Sequence, residues 1–307
     1  MKTILVLTDF SKRAGYAGEY ATHIALKNEA NIILCNAMES TSELADGVEL
    51  NWPIAEHLVQ KKEETILKLE ESGEHLKHFI SRSSSFKPSI EVIAEFGTLA
   101  EVAVNIIYER AVDLVLIGSH KSSGLSRFLF GSHTHQILDK ITCPVLLIPE
   151  NLEFKGISSI AYATDLSFDN TKVISYLIKM AKAFNASISV NHISPLEFPA
   201  GETEKTIRLS LKEHLASYTP PVFYHSIKGY NIKNSLLEIT GSGKADILAL
   251  VHKRYDFFER LFHASVSKQM ADSATIPLLV LPFSFSTEEI VSSRQQSTNS
   301  TSEHNLS

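Results

Sequence analysis

The chain has 307 residues, of which 44% are hydrophobic and 21% are charged, and its formal net charge at pH 7 is −6. This balance is typical of a globular protein, and the length is enough for about two domains of ordinary size. Because the net charge is acidic and the basic residues are scattered, a general binder of nucleic-acid phosphates is excluded.

The N-terminus and the two cysteines indicate the cellular compartment. The apolar run at residues 4–7 is too short for the core of a signal peptide, and no window approaches the ~20 apolar residues of a membrane span. Cys35 and Cys143 form no CxxC pair and lie in apolar, strand-like runs, which predicts buried free thiols. These features predict a cytoplasmic protein that does not enter membranes.

In the first half of the chain, short runs rich in Ile, Val and Leu alternate with helical stretches. The predicted strands lie at 3–8, 31–38, 89–95, 113–118 and 144–149. The predicted helices lie at 11–30, 54–80, 98–110 and 132–141. Ser11 is a candidate cap for the first helix, and Thr98 with Glu101 forms a candidate capping box for the third. Strands that are apolar on both faces and separated by helices predict a doubly wound parallel sheet in the order 3-2-1-4-5.

The second half repeats this pattern. Its predicted strands lie near 158–164, 187–193, 222–227, 246–251 and 277–282. Asp9 aligns with Asp165 at an offset of 156 residues, whereas Asp113 aligns with Asp246 at an offset of 133. The second half therefore lacks 23 residues (156 − 133), which we place between its second and third strands. We predict two tandem α/β domains, at 1–150 and 151–283, followed by a disordered polar tail at 284–307.

Two segments of the first half should meet at the carboxyl ends of its first and fourth strands, where ligands bind in doubly wound sheets. One is Thr8-Asp9-Phe10-Ser11, whose carboxylate suits ribose hydroxyls. The other runs from Gly118 to Ser132. Gly118 and Gly131 permit close backbone approach, and Ser132 would place its amide at a helix N-terminus that favours an anion. The pattern predicts a phosphate cradle beside Asp9.

These motifs resemble the universal stress protein family, whose ATP-binding members carry Gly, two residues, Gly, nine residues, Gly, and then Ser or Thr. Gly118 and the pair Gly131-Ser132 match this pattern, but Lys121 replaces the second glycine. The resemblance covers residues 1–283. It implies two Rossmann-like, adenine nucleotide hydrolase-like domains that pack as a pseudo-dimer, with ATP or ADP, with or without Mg²⁺, in the first. The resemblance implies Asp9, Ala37, Gly118, Gly131 and Ser132 as nucleotide-contacting residues. From their places in the same loop or directly after it, we also predict His120, Lys121 and His133 as contacts.

The second half has lost the loop motif. At the positions that correspond to Gly118, Lys121, Gly124 and Gly131, the second half carries Val251, Arg254, Phe257 and Ala264. Bulky side chains there would occupy the space that phosphates need, so we expect no nucleotide in the second domain.

Two functional hypotheses remain open. The first is a stress-response protein that binds ATP or ADP through its first domain, and the second is a nucleotide-free interaction module in which both sites have degenerated. A slow ATPase is a third hypothesis, but no motif for a nucleophile, a general base or a metal accompanies the loop, so no catalytic residue and no metal ligand is assigned. The partners expected are an adenine nucleotide and either other proteins or further copies of the chain, and not nucleic acid or membranes.

Overall fold

A computed structural model describes residues 1–38, 52–80, 84–119, 132–164, 166, 170–194, 219–228, 232–252 and 276–286. In the first half, the elements are β1 (Thr3–Leu7), α1 (Lys12–Asn28), β2 (Asn31–Met38), α2 (Trp52–Lys77), β3 (Ile90–Phe96), α3 (Leu99–Arg110), β4 (Leu114–Ser119), α4 (Ser132–Lys140) and β5 (Val145–Pro149). In the second half, they are β6 (Ser159–Thr164), α5 (Thr171–Phe184), β7 (Ser187–Ser194), β8 (Val222–Lys228), α6 (Ile232–Thr240), β9 (Ile247–His252) and β10 (Leu278–Pro282).

The strands form one continuous sheet in the order β3-β2-β1-β4-β5-β10-β9-β6-β7-β8. Pairing inside each half is parallel, so both halves have the predicted order 3-2-1-4-5. The halves join through an antiparallel pair, β5 with β10, in which Leu146 lies opposite Leu279. These two leucines are equivalent in the repeat at the offset of 133, so a pseudo-twofold axis passes between them. The predicted pseudo-dimer is confirmed. Because the strands of the two halves run in opposite directions, their carboxyl ends lie at opposite ends of the sheet's strands.

Helices cover both faces of this sheet, and each face has a core that runs across both halves. Helices α1, α2 and α5 pack on one face, against strand residues such as Ile4 and Leu279. Helices α3, α4 and α6 pack on the other face, against residues such as Leu5 and Leu278. Burial from both sides explains why the strands are apolar along their whole length.

The two cysteines are buried and free, as predicted. Burial raises the pKa of Cys35 and of Cys143 to about 12. The thiolate is the reactive form of cysteine, so neither side chain is poised for redox chemistry or metal binding at neutral pH.

The predicted helix caps are also present. The Ser11 hydroxyl accepts a hydrogen bond from the amide of Ala14 at the start of α1. Thr98 and Glu101 form the reciprocal capping box at the start of α3. These local contacts set where each helix begins after its strand.

The length difference between the halves lies where it was predicted. Residues 39–89, 51 in number, separate β2 from β3, whereas residues 195–221, 27 in number, separate β7 from β8. The difference of 24 is offset by one residue, because 17 residues (97–113) separate β3 from β4 and 18 (229–246) separate β8 from β9. The net deficit of the second half is the predicted 23.

The connection between the halves is held against the first of the two cores. The ring of Phe154 stacks on His23 of α1 at a centroid distance of 4.2 Å, and it meets Tyr20 edge-on at 5.1 Å. The Tyr20 hydroxyl donates to the carbonyl of Glu153 at 3.3 Å. These contacts tie the linker to α1.

Among the described residues, no helix is both long enough and apolar enough to cross a membrane. After β10 the chain continues through a 3₁₀ turn at Phe283–Ser286, and the rest of the predicted tail, 287–307, lies outside the described residues.

Candidate functional site

The turn that follows β1 places Asp9 at the carboxyl edge of the first half. The Thr8 hydroxyl accepts from the amide of Phe10 at 3.0 Å, and Phe10 has a left-handed backbone with φ of 62°. The Oδ1 atom of Asp9 accepts from the amide of Ser11 at 3.1 Å and also from the Ser11 hydroxyl. Its Oδ2 atom accepts from the guanidinium of Arg13. Asp9 therefore ties the strand end to the first turn of α1.

These contacts keep Asp9 charged. Partial burial by itself raises the pKa of this carboxyl group, but the hydrogen bonds from Ser11 and the charge of Arg13 outweigh burial and leave the pKa below 3.8. The side chain is 49% exposed. An ionised carboxylate can accept about four hydrogen bonds. Asp9 therefore offers solvent an anionic acceptor with room for a further donor, such as a ribose hydroxyl.

Gly118, near the end of β4, lies against this same turn. A Cβ atom there would be 2.4 Å from the carbonyl oxygen of Arg13 and 2.8 Å from the amide nitrogen of Ala14. The two predicted segments therefore do meet at the switch point between β1 and β4. The contact also shows that the fold itself requires glycine here, because any side chain would push the first turn of α1 away from the sheet.

The other predicted site residues divide into two groups. Ala37 lies half-buried near the end of β2, paired in register with Glu95, and Ser132 and His133 form the beginning of α4. The side chains of Ser132 and His133 are outside the described part of the structure. His120, Lys121 and Gly131 fall in 120–131, also outside the described residues, so their placement stays a prediction.

Sequence reasoning missed one residue of this edge. The side-chain amide of Asn36 donates to the carbonyl of Thr8 at 2.7 Å and so joins the ends of β1 and β2. The available signal was a polar residue near the end of an otherwise apolar strand run. Asn36 helps hold the turn that carries Asp9.

The second half keeps the same turn but not the same helix start. Leu166, the counterpart of Phe10, has φ of 55°, and its amide donates to the Thr164 hydroxyl at 3.0 Å. Helix α5 begins at Thr171, three residues after the position equivalent to Lys12. Val251 occupies the position of Gly118, where α1 would leave no room for a side chain. The later helix start is the structural counterpart of this substitution.

A buried polar cluster occupies this edge of the second half. The Asn170 side-chain oxygen accepts from the Tyr162 hydroxyl and, at 3.0 Å, from the Thr164 hydroxyl. All three residues are at most 4% exposed. Asp165, the counterpart of Asp9, lies outside the described residues. Within the described part of this edge, these three side chains therefore bond to one another.

A hydrogen-bonded pair of side chains crosses between the halves at this edge. His252, which follows Val251 at the end of β9, has its Nε2 atom 2.9 Å from Oδ1 of Asp139 in α4. The side chain of His252 is 10% exposed. Because the strands of the two halves run in opposite directions, the last turn of α4 in the first half lies beside the carboxyl edge of the second half. No group of three or more His, Cys, Asp or Glu residues suited to a metal occurs within the described ranges.

The fold and this edge define a tandem α/β protein of the Rossmann-like class, with two doubly wound domains joined edge to edge. The universal stress protein family matches residues 1–149 and 156–282. The chain belongs to the universal stress protein family, with two copies of its domain in tandem. This membership supports a role in the stress response.

Curated relatives match one domain's length of this chain. The universal stress protein YxiE of Bacillus subtilis is 27% identical over 149 residues, which cover 47% of this chain and 97% of the relative. The universal stress protein MJ0577 of Methanocaldococcus jannaschii is 26% identical over 155 residues, which cover 48% and 94%. These relatives correspond to a single domain.

Solved structures match the tandem arrangement. A universal stress protein from Archaeoglobus fulgidus superposes with a TM-score of 0.59 at 16% identity, covering 91% of this chain and 98% of that one. A putative universal stress protein from Pseudomonas aeruginosa gives a TM-score of 0.53 at 14% identity, covering 92% and 93%. At these identities the likeness shows the fold alone.

Proposed function

We propose that the first half of this chain binds an adenine nucleotide, ATP or ADP, at the carboxyl edge of β1 and β4, and that the protein acts in the stress response as a nucleotide-binding protein without rapid turnover. The observation that carries this proposal is the meeting of a charged, half-exposed Asp9 with Gly118 at the switch point of a doubly wound sheet. The loop that leaves β4 leads directly to the N-terminus of α4.

Each part of the nucleotide has a matching group in this proposal. Asp9 accepts from the ribose hydroxyls, and the backbone near Ala37 contacts the adenine, as the family resemblance implies. The amide of Ser132 at the N-terminus of α4 favours the phosphates, because the helix dipole and its unpaired amides attract anions. No described side chain is placed as a nucleophile or general base at this edge, which supports slow turnover or none.

A second candidate, the nucleotide-free interaction module, is favoured by a specific observation. Asp9 already accepts from Ser11 and Arg13, and Gly118 is required by its contact with Arg13. Both residues therefore have an explanation from the fold of the first half without any ligand. Only a binding measurement separates the two candidates.

The test is native mass spectrometry of the purified protein, followed by calorimetric titration with ATP. One bound nucleotide per chain is expected. Gly131→Val should abolish binding, because a branched side chain would stand where phosphate approaches the helix N-terminus. The matched change in the second half, Ala264→Val, should leave binding unchanged. If the unmutated protein binds no ATP at millimolar concentration, the nucleotide proposal fails and the interaction module stands.

Lys121 provides a second titration with two opposite outcomes. If its ammonium group meets the phosphates, Lys121→Gly weakens ATP binding and reduces the salt dependence of the affinity. If lysine is only tolerated in a strained backbone, the same change tightens binding by restoring the glycine of the family pattern.

A further inference from the structure

We propose that the second half positions helix α4 of the first half through His252, so that Asp139 and His252 are positioning residues for the phosphate end of the site. This inference rests on the proposed function, because it assigns a task to the half whose own loop has degenerated. The observation behind it is the hydrogen-bonded pair that joins the two halves at 2.9 Å.

Helix α4 depends on such support. It has nine residues, and a helix this short is marginal by itself in water. Ile137 and Leu138 are buried in the core that spans both halves. Asp139 lies in the last turn, where the helix dipole disfavours a negative charge. The helix dipole therefore does not favour this carboxylate, although Lys140 lies in the same turn.

His252 compensates for this carboxylate. A carboxylate only accepts hydrogen bonds, so the Nε2 atom of His252 must carry the proton and donate to Oδ1 of Asp139. The imidazole is largely buried, whereas the side chain of Asp139 is 55% exposed. Removing either partner leaves the end of α4 without this anchor, and removing Asp139 also takes an acceptor from a buried ring.

The residues equivalent to His252 and Asp139 in the repeat are Ser119 and Asp272. The first-half counterpart of His252 is Ser119, whose hydroxyl donates inside its own half to the carbonyl of Ile148 at 3.3 Å. The second-half counterpart of Asp139 is Asp272, which lies outside the described residues. Val251 and His252 thus stand where the first half has Gly118 and Ser119. The two substitutions together remove a glycine of the phosphate loop and introduce a donor aimed at the other half.

The anchored end of α4 is connected to the proposed phosphate end by the helix itself. Ser132 begins α4 and Asp139 lies seven residues further on, at about 1.5 Å per residue along a rigid helix. A shift of the last turn therefore moves the amide groups of the first turn. Holding the last turn in place preorganises those amides for an anion, which lowers the cost of binding.

The first arm of the test uses the full-length protein without nucleotide. Asp139→Ala and His252→Ala should each shift the amide resonances of Ser132 and His133, and should speed hydrogen exchange at Ile137 and Leu138 by about tenfold. Asp139→Asn, which keeps an oxygen acceptor for His252, should restore both readouts. Glu91→Ala is the matched control, because it removes an exposed pair with Arg110 at 3.0 Å elsewhere in the first half.

The second arm measures ATP affinity by calorimetry. Each alanine variant should weaken ATP binding roughly fivefold or more. The double variant should bind ATP no more weakly than the single variants, because both changes remove the same contact. Asp139→Asn should bind ATP like the unmutated protein. Unchanged α4 amides in the alanine variants, or equal losses in Glu91→Ala, would overturn the proposal. If the unmutated protein binds no ATP, the proposed function and the phosphate role of α4 both fail, and the first arm still shows separately whether His252 holds the helix.

Discussion

Gly118 lies against the backbone of Arg13 so closely that a Cβ atom on Gly118 would be 2.4 Å from the Arg13 carbonyl oxygen. Gly118 is not among the described residues with positive φ, so the requirement for glycine is steric and not conformational. The contact fixes how α1 starts above the sheet. In the second half, where Val251 replaces this glycine, α5 starts three residues later.

The first prediction concerns this contact. Gly118→Ala should lower the free energy of unfolding by about 1–3 kcal/mol, the usual cost of overpacking a closed contact. Gly15→Ala in α1 is the matched control, because a Cβ atom on Gly15 would meet nothing within 4 Å; this change should be neutral or stabilise by up to about 1 kcal/mol. Urea unfolding of both variants measures the difference. Equal stabilities for Gly118→Ala and the unmutated protein would contradict this prediction, because they would show that the first turn of α1 shifts at no energetic cost.

The second prediction concerns Asp9 and acid. Its pKa in the folded protein lies below 3.8, so its stabilising contribution is complete above about pH 4 and is lost as the pH falls through the lowered pKa. Asp9→Asn should therefore be less stable than the unmutated protein at pH 7, and the gap should narrow below pH 3.8. Thermal unfolding across this range tests the sign. A gap that stays constant down to pH 3 would contradict the assignment.

The third prediction concerns His23, which stacks on the linker residue Phe154. Burial lowers the pKa of His23 from 6.5, so the unfolded state binds a proton more readily than the folded state. Stability should therefore decline as the pH falls below about 6.5, and His23→Gln should reduce that decline. His57→Gln on α2 is the matched control for loss of a histidine at an exposed position. Melting temperatures between pH 5 and 8 give the comparison.

The fourth prediction concerns the junction of the halves. Leu146 and Leu279 are fully buried and face each other across β5 and β10. Replacing either with alanine should cost about 2–5 kcal/mol, and the double variant should depart from the sum because the two side chains are neighbours. Leu67→Ala on α2, where the side chain is 65% exposed, should stay within about 0.5 kcal/mol. Additive losses would indicate that the pair does not act as one contact.

The ten strands, the strand order within each half, the caps at Ser11 and Thr98 and the position of the missing residues could all be predicted from the sequence. These features are local or repeated, and each rests on apolar periodicity, on a capping side chain or on an alignment of two copies. The segment 120–131 that would complete the phosphate cradle stays a prediction, which the described residues neither support nor contradict.

The sequence by itself determined that this protein has two tandem α/β domains with unequal loops. Only the tertiary structure decided that Leu146 would lie opposite its own counterpart, that Gly118 would lie against Arg13, and that His252 would reach Asp139, 113 residues away in the chain. The reason is physical: each of these relationships joins elements that are distant in sequence, and it depends on how sheets and helices pack and not on the local preference of any one segment.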